Sequence, residues 1–225
     1  MKEYQISVNQ FGDFTKGSEA TKRRIIRQQK NPPTVMVARY ALAKSRIKKA
    51  IERRGDINPI LEGIEQLKKR KPETDWQIND RKVSLEAMER FVIMKLPNIL
   101  KEMDEFEVLK KFEFKSFVFS GVNILVSPDI IVRGSIGGKK YIGAVKLHVS
   151  KSGAFDVEQS KYVATCIYNY LKSMVKDEDL IVLPQLCFSL DVFADTIISA
   201  PKNIDYVNVR IAEYCKEIIK LWDAA

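Results

Sequence analysis

Lys146 and His148 interrupt an otherwise apolar stretch, and they do so on one side. Along Tyr141–Val149, the residues Ala144, Lys146 and His148 fall on one face of a strand, and Val145, Leu147 and Val149 fall on the other. An imidazole beside an ammonium group can act as a general base or contact a phosphate. A half-exposed strand edge gives the same pattern with no chemistry attached. Upstream, Pro128-Asp129 lies on a strand, and a Gly-rich turn (Gly134, Gly137, Gly138) separates it from Ala144-Val145-Lys146. Asp129 and Lys146 can then project to one side of a hairpin. The turn joins strand to strand rather than strand to helix, so it is a hairpin turn and not a phosphate-cradling loop. With a single His and no nucleophile elbow, no Ser/His/Asp set can be assembled.

The elements that must position these residues follow from hydrophobic period. Ser84 caps a helix from Leu85 to about Leu96, with Leu85, Met88, Val92 and Leu96 as its stripe. A β-rich stretch runs from about Val108 to Gly121, then strands over Ile124–Val132 and Tyr141–Val149. A helix over Val157–Met174, strands over Ile181–Val192 and Thr196–Ser199, and a helix over Tyr206–Trp222 complete the chain. Ahead of this lie a short strand within residues 1–15, carrying Tyr4, Ile6 and Val8, and three helices: Ser18 to Gln29, Thr34 to Arg54, and Ile60 to Lys71. The polar segment from Glu73 to Lys82 reads as a loop and as the boundary between residues 1–75 and residues 76–225. The expected fold is α/β, a mixed central sheet flanked by helices, with a basic helical N-terminal region.

Composition narrows the function. The 225 residues carry a formal charge of +9, and the excess is uneven. Residues 1–75 hold 18 Lys+Arg against 9 Asp+Glu, whereas the remainder holds 20 of each. A one-sided basic segment suggests an anionic partner, and nucleic acid is the commonest. Arg24, Arg27, Lys44, Lys48, Arg53 and Arg54 are the expected backbone contacts, and such contacts give salt-dependent binding with little sequence preference. Tyr40 lies among them as a stacking residue or a core aromatic. No apolar run reaches membrane-spanning length, and the N-terminus lacks a secretory stretch. Cys166, Cys187 and Cys215, spaced 21 and 28 residues apart, fit neither a zinc knuckle nor a disulfide framework. They read as buried thiols of a cytoplasmic protein.

The order helix, three-strand meander, helix, strand, together with Pro128, Asp129 and Lys146, resembles the core of the PD-(D/E)XK nuclease superfamily across roughly residues 84–195. The resemblance implies a nuclease-like protein acting on nucleic acid, DNA ahead of RNA, with Mg²⁺ as cofactor. Asp129 would be a metal ligand and Lys146 the catalytic cation. Mg²⁺ takes hard oxygen ligands and generates a nucleophile from water, while a nearby cation offsets charge on the phosphate. Two residues before Lys146 the family carries Asp or Glu, and Ala144 stands here. The acid has moved to another element, the site is a binding remnant, or the alanine was introduced in place of an acid. Glu89 and Glu158 are the candidates for a moved carboxylate. Gln159 and Tyr162, at i and i+3 on one helix face, resemble the Gln and Tyr of the RecB-like branch at a spacing one residue shorter. The competing class is a catalytically inactive nucleic-acid-binding or protein-interaction module of a defence or mobile-element system. A homo-oligomer is compatible with either class.

Overall fold

The computed structural model describes residues 4–32 and 39–224. In chain order the elements are β1 (Gln5–Ser7), α1 (Val8–Lys16), α2 (Glu19–Lys30), α3 (Ala41–Glu52), α4 (Asn58–Lys69), α5 (Asp75–Ile93), α6 (Ile99–Glu102), β2 (Asp104–Leu109), β3 (Ser116–Phe119), β4 (Val122–Leu125), β5 (Ile130–Ile136), β6 (Lys139–His148), α7 (Val157–Met174), β7 (Leu180–Asp191), β8 (Thr196–Ser199) and α8 (Asp205–Ala224). The fold is α/β, with sheets flanked by helices. A five-stranded mixed sheet runs β2-β5-β6-β7-β8, and a three-stranded sheet runs β1-β4-β3. In the larger sheet only β6 and β7 are parallel, and α7 makes the crossover that a parallel pair requires.

Two apolar cores cover the two faces of the large sheet. Phe11, Phe14, Ile25, Ile131, Ala144, Ile167 and Ile218 belong to one, which collects α1, α2, α7, α8 and the small sheet. Ile47, Ile64, Met88, Ile130, Val145 and Leu147 belong to the other, which collects α3 to α6. Alternation along β5 and β6 sends consecutive residues to opposite cores, as the pleat requires.

The boundary expected near residue 75 does not separate two cores. β1 pairs in parallel with β4, so the N-terminal segment is part of the second sheet. The helices of the basic third split between the two layers, α2 on one side and α3 with α4 on the other. The segment expected as a loop is the first half of α5. Thr74 caps it, accepting from the Gln77 amide at 3.3 Å. The strand expected over Ile124–Val132 is two strands, β4 and β5, broken at Ser127, whose φ of 38° no strand accommodates. Gly134 lies inside β5, and the hairpin turn is Gly137-Gly138, both at positive φ. The first part of the helix expected over Thr34 to Arg54 falls outside the described residues up to Ala38; α3 runs Ala41–Glu52, with turns at Arg39–Tyr40 and Arg53–Arg54.

β6 and β7 do not run evenly. The pairing steps from Ile142↔Val182 to Ala144↔Cys187, so β7 bulges over the intervening residues. Pro184 sits in that bulge and cannot donate to a ladder. The bulge presses Leu186 onto β6 opposite Gly143, and only a residue without Cβ fits there.

Candidate anion-binding hollow

Asp129 stands one step beyond the last β5–β6 ladder pair, Ile130↔Val145, and so comes opposite Lys146. Two backbone contacts lock it. Its amide donates to the Val145 carbonyl at 2.9 Å, and its Oδ2 accepts the Leu147 amide at 2.9 Å. Lys146 Nζ lies 3.9 Å from that same oxygen and donates to the Ser127 carbonyl at 2.8 Å. Ser127, with its left-handed φ, is the residue that turns this carbonyl toward the lysine. Backbone held in a sparsely populated region beside polar side chains is a recurrent property of functional sites. Asn9 of α1 completes the support by donating to the Leu147 carbonyl at 3.3 Å.

Asp129 opens onto a hollow of about 360 Å³ whose other wall is α3: Ala41, Lys44, Ser45, Lys48, Lys49 and Glu52. Lys44, Lys48 and Glu52 fall at i, i+4 and i+8, one face of the helix. Burial pushes the Lys146 ammonium below the usual lysine range; Asp129 opposes this, while the charges of Lys111, Lys44 and Lys48 add to it. Three α3 lysines thus line the hollow with Asp129, and Lys146 stands beside the same carboxylate.

The remaining candidates lie elsewhere or have other partners. Glu89 is exposed on α5 and lines a different groove, with Pro72, Ile78, Arg81 and Leu85. Glu158 pairs with Lys161 one turn along α7. Neither lines the hollow. Gln159 closes a capping box with Asp156 and donates to the Gly12 carbonyl at 3.0 Å, so its amide holds α7 to α1. Tyr162 is buried and packs edge to face on Tyr214 at 5.5 Å. Arg54 donates to the carbonyls of Leu100, Lys101 and Met103, which ties α3 to α6 and leaves no free fork for a phosphate. Arg53 pairs with Asp56, and Tyr40 packs against Phe193. Arg24 and Arg27 are exposed on α2, in the layer opposite α3.

His148 has a structural partner. Its Nδ1 meets Asp191 Oδ2 at 2.7 Å, and its ring stacks on Phe155 at 3.6 Å and 6°. An ionised carboxylate only accepts, so Nδ1 carries the proton. Asp13, on α1, lies within the charge field of His148, Arg24 and Asp191. Burial raises its carboxyl above the usual range, and the nearby His148 and Arg24 charges oppose this. The three cysteines are free and buried, and burial pushes Cys187 and Cys215 up to about 12, so their thiolates are scarce.

The donor set of the hollow does not fit Mg²⁺. The position where the resembled family carries a second acid holds Ala144, fully buried between Ile131 and Cys187. Among the described residues no group of three or more His, Cys, Asp or Glu side chains converges as a metal cage. Glu52 is the second carboxylate of the hollow, but Lys44, Lys48 and Lys49 line it too. An excess of ammonium groups repels a divalent cation and attracts an anion. Sequence reasoning missed Glu52; its one signal was the shared helix face with Lys44 and Lys48.

The chain matches no family model, no curated protein and no solved structure. Among the described residues no helix is long and apolar enough to cross a membrane.

Proposed function

We propose that this is a nucleic-acid-binding protein built on a PD-(D/E)XK-like core, in which the Asp129 hollow holds a backbone phosphate without the metal of the active nucleases. The observation that carries this reading is that Lys44, Lys48 and Lys49 of α3 line one hollow with Asp129, whose Oδ2 lies 3.9 Å from Lys146 Nζ. The order α5, β2, β5, β6, α7, β7, with β7 parallel to β6, supports the family reading. The buried Ala144 supports the loss of metal chemistry. In this account Lys146 is a phosphate contact, and Asp129 beside it helps hold its ammonium in place. Three free thiols suit a cytoplasmic setting.

Incubation of labelled single- and double-stranded DNA, and of RNA, with Mg²⁺ or Mn²⁺ tests the reading. The expected result is binding without cleavage, with Asp129→Ala and Glu52→Gln behaving alike in this respect. Metal-dependent cleavage that disappears in both variants would mean that Asp129 and Glu52 hold a cation, and would overturn it.

A further inference from the structure

We infer that the hollow takes the terminal phosphate of a nucleic-acid strand, a phosphomonoester, in preference to an internal phosphodiester. The inference rests on the nucleic-acid reading above. An internal phosphodiester carries a single negative charge, whereas a terminal phosphate carries about −1.5 to −2 at neutral pH and has three strong acceptor oxygens. Lys44, Lys48 and Lys49 line the hollow beside Asp129 and Glu52. Lys111 and Lys146 stand close enough to one another for their charges to couple. With Lys146 3.9 Å from Asp129, four ammonium groups stand against two carboxylates, an excess that one phosphodiester does not neutralise.

Lys146 is the most demanding of these cations. Its side chain is only 17% exposed, and one of its three N–H groups is taken by the Ser127 carbonyl at 2.8 Å. Asp129, at 3.9 Å, is a charge neighbour and lies beyond hydrogen-bond length. A buried ammonium with unfilled donors is stabilised most by a ligand oxygen bearing a large share of negative charge. Ser45, on the same wall, adds a hydroxyl donor. The hollow, at about 360 Å³, has room for a phosphate together with its sugar.

Fluorescence anisotropy with three versions of one oligonucleotide tests this: 5′-phosphorylated, 3′-phosphorylated, and hydroxyl at both ends. One phosphorylated form is expected to bind about tenfold more tightly than the hydroxyl form, from the added charge-assisted hydrogen bonds. The Lys44→Ala/Lys48→Ala variant should lose that advantage. Equal, salt-sensitive affinity for all three would overturn the terminal-phosphate inference and leave the nucleic-acid reading standing. No binding of any form would overturn both.

Discussion

Replacing Asp191 with alanine lowers stability by about 3–5 kcal/mol, the range for breaking a buried charged pair from one side. Asp191 is fully buried, and its two oxygens serve four donors. Oδ2 accepts from His148 Nδ1 and from the Phe155 amide, each at 2.7 Å; Oδ1 accepts from the amides of Phe193 and Ala194, each at 2.9 Å. Alanine strands the two buried donors, His148 Nδ1 and the Phe155 amide, and removes the acceptor of the part-buried Phe193 and Ala194 amides. For a chain of this size the loss corresponds to a fall of about 10 °C or more in Tm. Asp191→Asn keeps the shape and one acceptor oxygen, and it should recover about half of the loss. Calorimetry of the three proteins checks both expectations.

The pH dependence of that difference has a definite sign. Burial alone raises the Asp191 carboxyl, but the His148 hydrogen bond, the Phe155 and Ala194 amides and the His148 charge outweigh it, so the group stays below the usual range. Its folded value is therefore lower than its unfolded one. The stability it contributes is fully present above the unfolded value of about 3.9 and is lost as pH falls through the folded value. The gap between the wild type and Asp191→Asn should be widest near neutrality and narrow in strong acid. A gap that widens on acidification would mean that the carboxylate is not the stabilising form.

Gly143→Ala is the second large effect, and it acts through backbone geometry. A Cβ at residue 143 would lie 2.2 Å from the Leu186 Cβ and 2.4 Å from the Leu186 carbonyl oxygen. No rotamer relieves a clash with backbone, so β6 and β7 must part where the Pro184 bulge already shifts their register. We expect a loss of about 3 kcal/mol or more, at the upper end of overpacking effects, and reduced soluble yield. Gly138→Ala is the matched control. Its Cβ would meet nothing within 4 Å, and only its φ of 78° is unfavourable, so about 1 kcal/mol is expected. Gly143 lies three residues before Lys146, so a soluble Gly143→Ala protein should also bind nucleic acid more weakly. Equal stability of the two alanine variants would contradict the role given to the bulge.

Much of this arrangement was legible in local pattern. α2, α7, α8 and the β5–β6 hairpin show regular apolar spacing, and the hairpin brings Asp129 opposite Lys146 as alternation requires. α1 was not legible, because Tyr4, Ile6 and Val8 continue the alternation of β1 up to the helix start, and Gly12 weakens the helical signal. That glycine stands where Phe155 crosses α1, with its ring 2.9 Å from any added Cβ. The first half of α5 was hidden for the opposite reason. Residues 75–80 are mostly exposed and polar, so they carry no stripe. The wall of the hollow could not be read locally at all. Lys44 and Glu52 meet Asp129 only because α3 packs through Ile47 and Ile51 on the core that also holds Ile130 and Val145. The basic charge of the N-terminal third belongs to two layers of one fold, and only the α3 part of it reaches Asp129.

The central claim is that the α3 lysines hold nucleic-acid phosphate. The most direct measurement is the affinity for a single-stranded oligonucleotide as a function of salt, for the wild type and for Lys44→Ala/Lys48→Ala. Each phosphate contact on a single strand contributes about 0.7 to the slope of log K against log salt, so the double variant should show a slope shallower by about 1.4 and weaker binding at low salt. Identical slopes and affinities for the two proteins would contradict the account.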